Sequence, residues 1–133
     1  MRKLLADSGA FLALGDRDDR HHRAAIDFVR RHPSLKFVVT ELIVTEVATR
    51  VRARTDAARA TGLAGSLLEG GRYELVLIDL ELLGAALARM LRLADKRLSL
   101  TDCASFELMD RLGLRAAFTF DRDFRDCGYD MLP

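Results

Sequence analysis

Short apolar runs alternate with stretches of helical period along this chain, and that alternation limits its fold more than any other feature. Leu4-Leu5-Ala6 reads as a buried strand that ends in the turn Asp7-Ser8-Gly9 before the apolar segment 10–14. Phe37-Val38-Val39, the segment 73–78, the segment 116–119 and a short run over 129–132 read as further strands. Between them the spacing predicts helices over roughly 21–31, 40–54, 56–69, 79–94 and 99–111. Asp18 or Asp19 is expected to cap the first of these, and Ser99-Leu100-Thr101-Asp102 has the spacing of a capping box. Strands alternating with helices imply βαβ units, hence an α/β fold with a mainly parallel sheet of four to five strands between helical layers.

The length of 133 residues suits a single domain over 1–133, and a chain that is 50% hydrophobic can build a sizeable core. The formal net charge of +1 excludes a protein that coats DNA by a strongly basic surface, but leaves room for a nuclease with a local basic rim. Cys103 and Cys127 form no CxxC pair and no disulfide framework, so a reducing cytoplasm is expected. The start, MRKLLADSGAFLALGD, has the outline of a signal peptide, but Asp7 interrupts its apolar run and no small-residue cleavage site follows. No apolar run approaches the roughly 20 residues that span a bilayer, so no membrane partner is expected.

In an open parallel sheet, ligands bind beyond the carboxyl ends of the strands. Asp7 follows the first strand, Asp121 follows the fourth, and Asp102 opens a helix. Glu46 lies mid-helix beside the apolar stripe of Leu42, Ile43, Val47 and Val51, a local violation of the kind found at functional sites. Singly, each acid has an ordinary reading as a cap, a turn residue or a solvated charge. Together they would repel one another unless protonated or neutralised, and all-oxygen donors suit Mg²⁺ or Mn²⁺.

The stretches LLADSGAFLALGDRDDRHHRAA, VVTELIVTEVATR, RLSLTDCASFELMDRLGL and AFTFDRDF, in this order and spacing, resemble the PIN-domain nucleases, specifically the VapC-like ribonuclease toxins of toxin–antitoxin pairs. The resemblance spans nearly the whole chain, and its most specific parts are LSLTD…RLGL and TFDRDF. It implies a PIN-like three-layer α/β/α sandwich. It implies catalytic roles for Asp7, Glu46, Asp102 and Asp121, with Asp7, Asp102 and Asp121 as metal ligands. Thr119 matches the hydroxyl residue near the family's site, and Ser8 falls where a small hydroxyl residue is usual. It further implies Mg²⁺ or Mn²⁺ as cofactor, RNA as substrate, a small antitoxin as partner and frequent homodimers. Glu41 competes with Glu46 on the same helix, and Asp123 neighbours Asp121 as a turn or cap residue with a supporting role open to it.

Arg50, Arg52, Arg54 and Arg59, and separately Lys96-Arg97, are candidates to rim the acids and hold phosphates, with a plain solvated face as the alternative. His21, His22 and His32 sit in a charged loop or near helix ends and read as ordinary surface residues. Two rival classes stay in view. A phosphoacceptor domain would need an acidic pair after the first strand and a late lysine, but only Asp7 stands there and no lysine follows Arg97. A non-catalytic module of the same fold, or a nuclease of RNA processing rather than a toxin, is compatible with the same residues.

Overall fold

Side-chain caps start most of the helices where the sequence places them. In the computed structural model, which describes residues 2–133, Thr40 Oγ1 accepts the Ile43 amide at 3.2 Å, Asp56 that of Arg59 at 2.8 Å, Asp79 that of Leu82 at 2.8 Å and Ser99 that of Asp102 at 3.0 Å. Each such cap is worth about 1 kcal/mol. The order of elements is β1 (Lys3–Ala6), α1 (Ser8–Gly15), α2 (His22–Arg31), β2 (Lys36–Thr40), α3 (Glu41–Arg54), α4 (Ala57–Ser66), β3 (Tyr73–Val76), α5 (Leu80–Arg92), α6 (Leu100–Leu112), β4 (Ala116–Phe118), α7 (Arg122–Asp126) and β5 (Asp130–Leu132). A single 3₁₀ turn, Ala94–Lys96, joins α5 to α6.

The five strands form one sheet in the order β3-β2-β1-β4-β5, and every neighbouring pair is parallel. From β1 the chain steps outward to β2 and β3, then crosses to β4 and steps outward the other way to β5. Right-handed crossovers therefore place α1–α4 on one face and α5–α7 on the other, giving three layers. Phe28 and Phe37 pack on Phe118 at ring distances of 5.1 and 5.4 Å on the first face. Phe106 packs on Phe124 and Tyr129 at 4.8 and 5.1 Å on the second. Leu4, Leu5 and Ala6, covered on both faces, are fully buried, as a central parallel strand requires.

Three local expectations change. Neither Asp18 nor Asp19 caps α2: its cap position, His21, makes no side-chain cap bond. Asp19 instead accepts the His21 amide at 2.8 Å and Asp16 accepts the Asp18 amide at 2.9 Å, so these acids are used up in the preceding turns. Strand β3 stops at Val76, two residues short of the expected end, because the Ile78 amide turns to the Glu41 carboxylate at 2.9 and 3.0 Å. Helix α4 ends at Ser66, three residues short of the expected end at 69, where the Ser66 hydroxyl donates to the Leu63 carbonyl at 2.6 Å, and Leu68 beyond it is 56% exposed. At the other end of the chain, Gly113 closes α6 at φ 70°, a left-handed conformation in which a side chain would be strained.

The connections reverse direction between β1 and β4, which makes the crevice beyond their carboxyl ends the switch point of the sheet. The segments leaving both strands, residues 7–8 and 119–121, meet there.

Candidate metal centre

The Asp7 amide donates to the Phe118 carbonyl at 3.1 Å, so the end of β1 is tied to the end of β4 before any side chain is considered. Asp7 is buried, 6% exposed as a residue, and its carboxylate is engaged on both oxygens: Oδ1 accepts the Ser8 amide at 2.8 Å and Oδ2 accepts the Thr119 hydroxyl at 3.2 Å. Thr119 Oγ1 in turn accepts the Asp121 amide at 3.0 Å, and Asp121 Oδ1 accepts the Asp123 amide at 2.9 Å. Thr119 is thus a fixed bridge between the two strand-end aspartates, and the turn after β4 is wound so that Asp123 follows Asp121 into the same region.

Helix α3 brings Glu46 to the other side. Ser8 Oγ donates to Glu46 Oε1 at 2.5 Å, joining the start of α1 to the middle of α3. Arg50, one turn further along, stands 3.5 Å from Ser8 Oγ and 3.6 Å from Glu46 Oε1. Asp102 arrives in the first turn of α6, where the helix dipole favours an anion. These residues open into one cleft of about 580 Å³ lined by Asp7, Ser8, Glu46, Arg50, Asp102 and Asp121, with Gly9, Leu12, Asp19, Arg20, His21, Arg54, Ser99 and Phe120 completing its wall.

The acids lie close enough to oppose one another's ionisation. Burial, then repulsion from Asp102 and Asp121, pushes the Asp7 carboxyl up to about 7, against the pull of the Ser8 amide and Thr119 hydroxyl. Burial, then repulsion from Asp121 and Glu46, pushes Asp102 up to about 6, against hydrogen bonds from Ser99. Asp123 is raised as well, by partial burial and by its neighbours Asp121 and Asp126, with Lys96 opposing. Among the described residues, the one ion pair to any of these acids is Arg50 on Glu46. Oxygens of Asp102, Asp121 and Asp123 all fall within 4.8 Å of one another, a spacing a single cation can bridge.

The structure therefore brings together all four expected carboxylates, and Ser8 and Thr119 touch two of them directly. Asp123, expected only in a supporting role, joins Asp102 and Asp121 in a close trio of oxygens, while Asp7 lines the same cleft, held by hydrogen bonds and coupled to Asp102 and Asp121 by charge. The TFDRDF stretch carried that signal, since Asp123 follows Asp121 by two residues. Glu41 is absent from the cleft and closes the β3–α5 connection instead. Of the expected cations, Arg50 and Arg54 line the cleft; Arg52, Arg59, Lys96 and Arg97 do not. Arg20, Phe120 and His21 do: His21, expected as an ordinary surface residue, stands in the cleft wall, and neither a charged loop nor a strand-end aromatic carries a pattern that singles these three out.

A family model described as the PIN domain matches residues 4–128. No curated protein sequence matches the chain. Among solved structures, the chain resembles VapC20 of Mycobacterium tuberculosis, described as a sarcin–ricin loop cleaving toxin, with a TM-score of 0.88 at 22% identity over 95% of each chain. It resembles VapBC2 of Rickettsia felis, solved with a fragment of its promoter DNA, with a TM-score of 0.70 at 9% identity over 97% of this chain and 96% of that one. DNA-bound VapBC of Salmonella typhimurium gives a TM-score of 0.69 at 14% identity over 98% of this chain and 97% of that one.

Proposed function

Since the chain belongs to the PIN domain family, we propose that it is a divalent-metal-dependent endoribonuclease and the toxin of a toxin–antitoxin pair. The observation that carries this reading is the gathering of Asp7, Glu46, Asp102, Asp121 and Asp123 at the switch point of the sheet with one cationic partner between them. The donor set fits Mg²⁺ or Mn²⁺: every available group is a carboxylate oxygen, and the raised Asp7 and Asp102 carboxyls are those that a bound cation would return to the ionised form. Asp102 and Asp121, with Asp7 or Asp123, would hold the ion, which supplies Lewis acidity toward a phosphodiester.

The chain's own residues do the remaining work. Thr119 keeps the Asp7 carboxylate turned toward the cleft and fixes the backbone of Asp121. Ser8 anchors Glu46 by Oε1, leaving Oε2 to take a proton from the attacking water, a general-base role. Ser8 Oγ is engaged with Glu46 and Arg50 and is no nucleophile. Arg20, Arg50 and Arg54 on the cleft wall bind the phosphates on either side of the scissile bond.

The VapBC complexes among the similar structures support a small antitoxin as partner. Leu80, Leu87 and Leu91, which are 88%, 52% and 79% exposed on α5, supply an apolar surface for association, whether with that antitoxin or with a second copy. Among the described residues no helix is long and apolar enough to cross a membrane.

The test is cleavage of total cellular RNA by purified protein in matched Mg²⁺ and Mn²⁺ buffers. Asp7→Asn and Asp102→Asn are expected to lower the rate by at least about a hundredfold, the scale on which loss of one electrostatic catalytic group is felt. Full activity in both variants would refute the assignment.

A further inference from the structure

One wall of the acidic cleft is aromatic, and the metal chemistry leaves it unused. His21, at the start of α2, and Phe120, between Thr119 and Asp121, stack face to face with ring centroids 4.3 Å apart and planes 4° apart. Both rings are half-buried, and both line the cleft beside Asp121. The pair is held from behind and from the side. Phe120 meets the buried Phe118 edge-on at 6.2 Å and 66°. Arg20 Nε donates to His21 Nε2 at 3.1 Å, which ties the ring to the arginine alongside it. The His21 amide is bound by Asp19 Oδ1 at 2.8 Å, so the backbone under the ring is fixed as well.

A core explanation does not suit this pair. Two rings that served only to bury area would not both keep exposure in a cleft lined by acids and arginines, and α2 already sends Ala25 and Phe28 into the core. A preformed, part-exposed aromatic stack beside a phosphodiester site has a natural ligand, because every nucleobase presents a π-face and continues such a stack whatever its sequence. Arg20 alongside can hold the phosphate of the same nucleotide.

We propose that His21 and Phe120 form a base-stacking platform that seats a nucleotide next to the scissile phosphate of single-stranded or looped RNA. The proposal rests on the ribonuclease reading of the cleft. The two side chains are positioning residues: they touch the substrate's base, and they set where the phosphate lies relative to the acids. The geometry selects an unpaired base, since a base within a duplex has both faces covered.

The experiment uses the full chain and two fluorescent probes: a mixed-sequence RNA decamer, and the same decamer in which every base is removed from the ribose-phosphate backbone. Binding is measured in Ca²⁺, and cleavage of the intact decamer in Mn²⁺. Phe120→Leu keeps an apolar side chain but removes the π-face. His21→Ala removes the other ring of the pair, and His21→Tyr restores one. The intact decamer is expected to bind wild type about tenfold more tightly than the abasic one, the scale of a single base–aromatic stack. Phe120→Leu and His21→Ala should erase most of that difference and raise KM with a smaller change in kcat, and His21→Tyr should recover it. The proposal is overturned if intact and abasic probes bind wild type alike, or if the variants weaken both probes equally. Active, metal-dependent wild type with unaffected platform variants would remove the platform and leave the nuclease reading standing. Wild type that neither binds nor cleaves the decamer would remove both.

Discussion

Two clusters of charge draw on α6 and obey opposite rules. In the first, Arg89 on α5 is surrounded by partners: Nε donates to Glu107 at 2.9 Å, Nη2 to Asp110 at 2.7 Å and Nη1 to the Tyr129 hydroxyl at 3.0 Å, and its guanidinium lies 5.7 Å over the Phe106 ring. Burial works against the Arg89 charge, and the bonds to Tyr129 and Asp110 more than restore it, so its pKa is held above the ordinary arginine value. In the second, Asp102 faces Asp7, Asp121, Asp123 and Glu46 across the cleft, and ionisation of one hinders ionisation of the next. The first cluster is complete in itself and braces α5 against α6 and β5. The second is incomplete, and the missing element is positive charge. A fold retains such a cluster at a cost to its own stability only where something else balances it.

That contrast can be broken most sharply by deletion. Arg89→Met leaves Glu107, Asp110 and the Tyr129 hydroxyl without their donor, and urea unfolding should show a loss of about 3 kcal/mol, the scale of several hydrogen bonds from a charged group, with the one to half-exposed Asp110 counting least. Asp102→Asn, measured in EDTA, should cost nothing or stabilise the protein, because it relieves repulsion instead of creating it. A destabilisation of Asp102→Asn as large as that of Arg89→Met would mean that the cleft is a structural network like the other.

Metal titration is the next largest effect. A cation at a hundred times its dissociation constant should add about 2.7 kcal/mol to wild type, read as a rise in Tm. Glu107→Gln should keep that gain relative to its own metal-free state. Asp102→Asn and Asp121→Asn should lose it. Comparing Asp7→Asn with Asp123→Asn then decides which of the two completes the ligand set, since the variant that keeps its metal response is missing a supporting group only.

The smallest effect is in pH. The folded protein holds the Asp7 proton up to about pH 7, whereas an unfolded chain releases it near the ordinary value of 3.8. The folded state therefore binds more protons between these limits, and this group's contribution to stability falls as pH rises through that window. In EDTA, Asp7→Asn should gain on wild type between pH 4 and pH 8, by about 2 kcal/mol at the upper end, which is roughly half of what about 1.4 kcal/mol for each tenfold change in proton affinity gives across this window, the other half being lost to coupling among the acids. Equal slopes for the two proteins would show that Asp7 is not held in its acid form.

Much of this molecule could be read along the chain. Thr40, Asp56, Asp79 and Ser99 start helices because a cap needs only the next three residues, and the strands stand out because a fully covered parallel strand is apolar throughout. The strand-end rule found Asp7 and Asp121, and the charge beside an apolar stripe found Glu46. Local reading failed where two local solutions compete, as at Asp19, which serves the turn rather than the helix, and where the partner is distant, as at Glu41, which binds an amide 37 residues away.

The sequence by itself determined most of the elements, the helix starts at Thr40, Asp56, Asp79 and Ser99, and the four acids, because each of these depends on neighbours a few residues away. Only the tertiary structure decided what those acids meet. Thr119 reaches Asp7 across 112 residues because β4 inserts beside β1. The same insertion carries Asp123 toward Asp102 and sets Phe120 against His21. Sheet order is fixed by packing summed over the whole core, and no short stretch of the chain contains it.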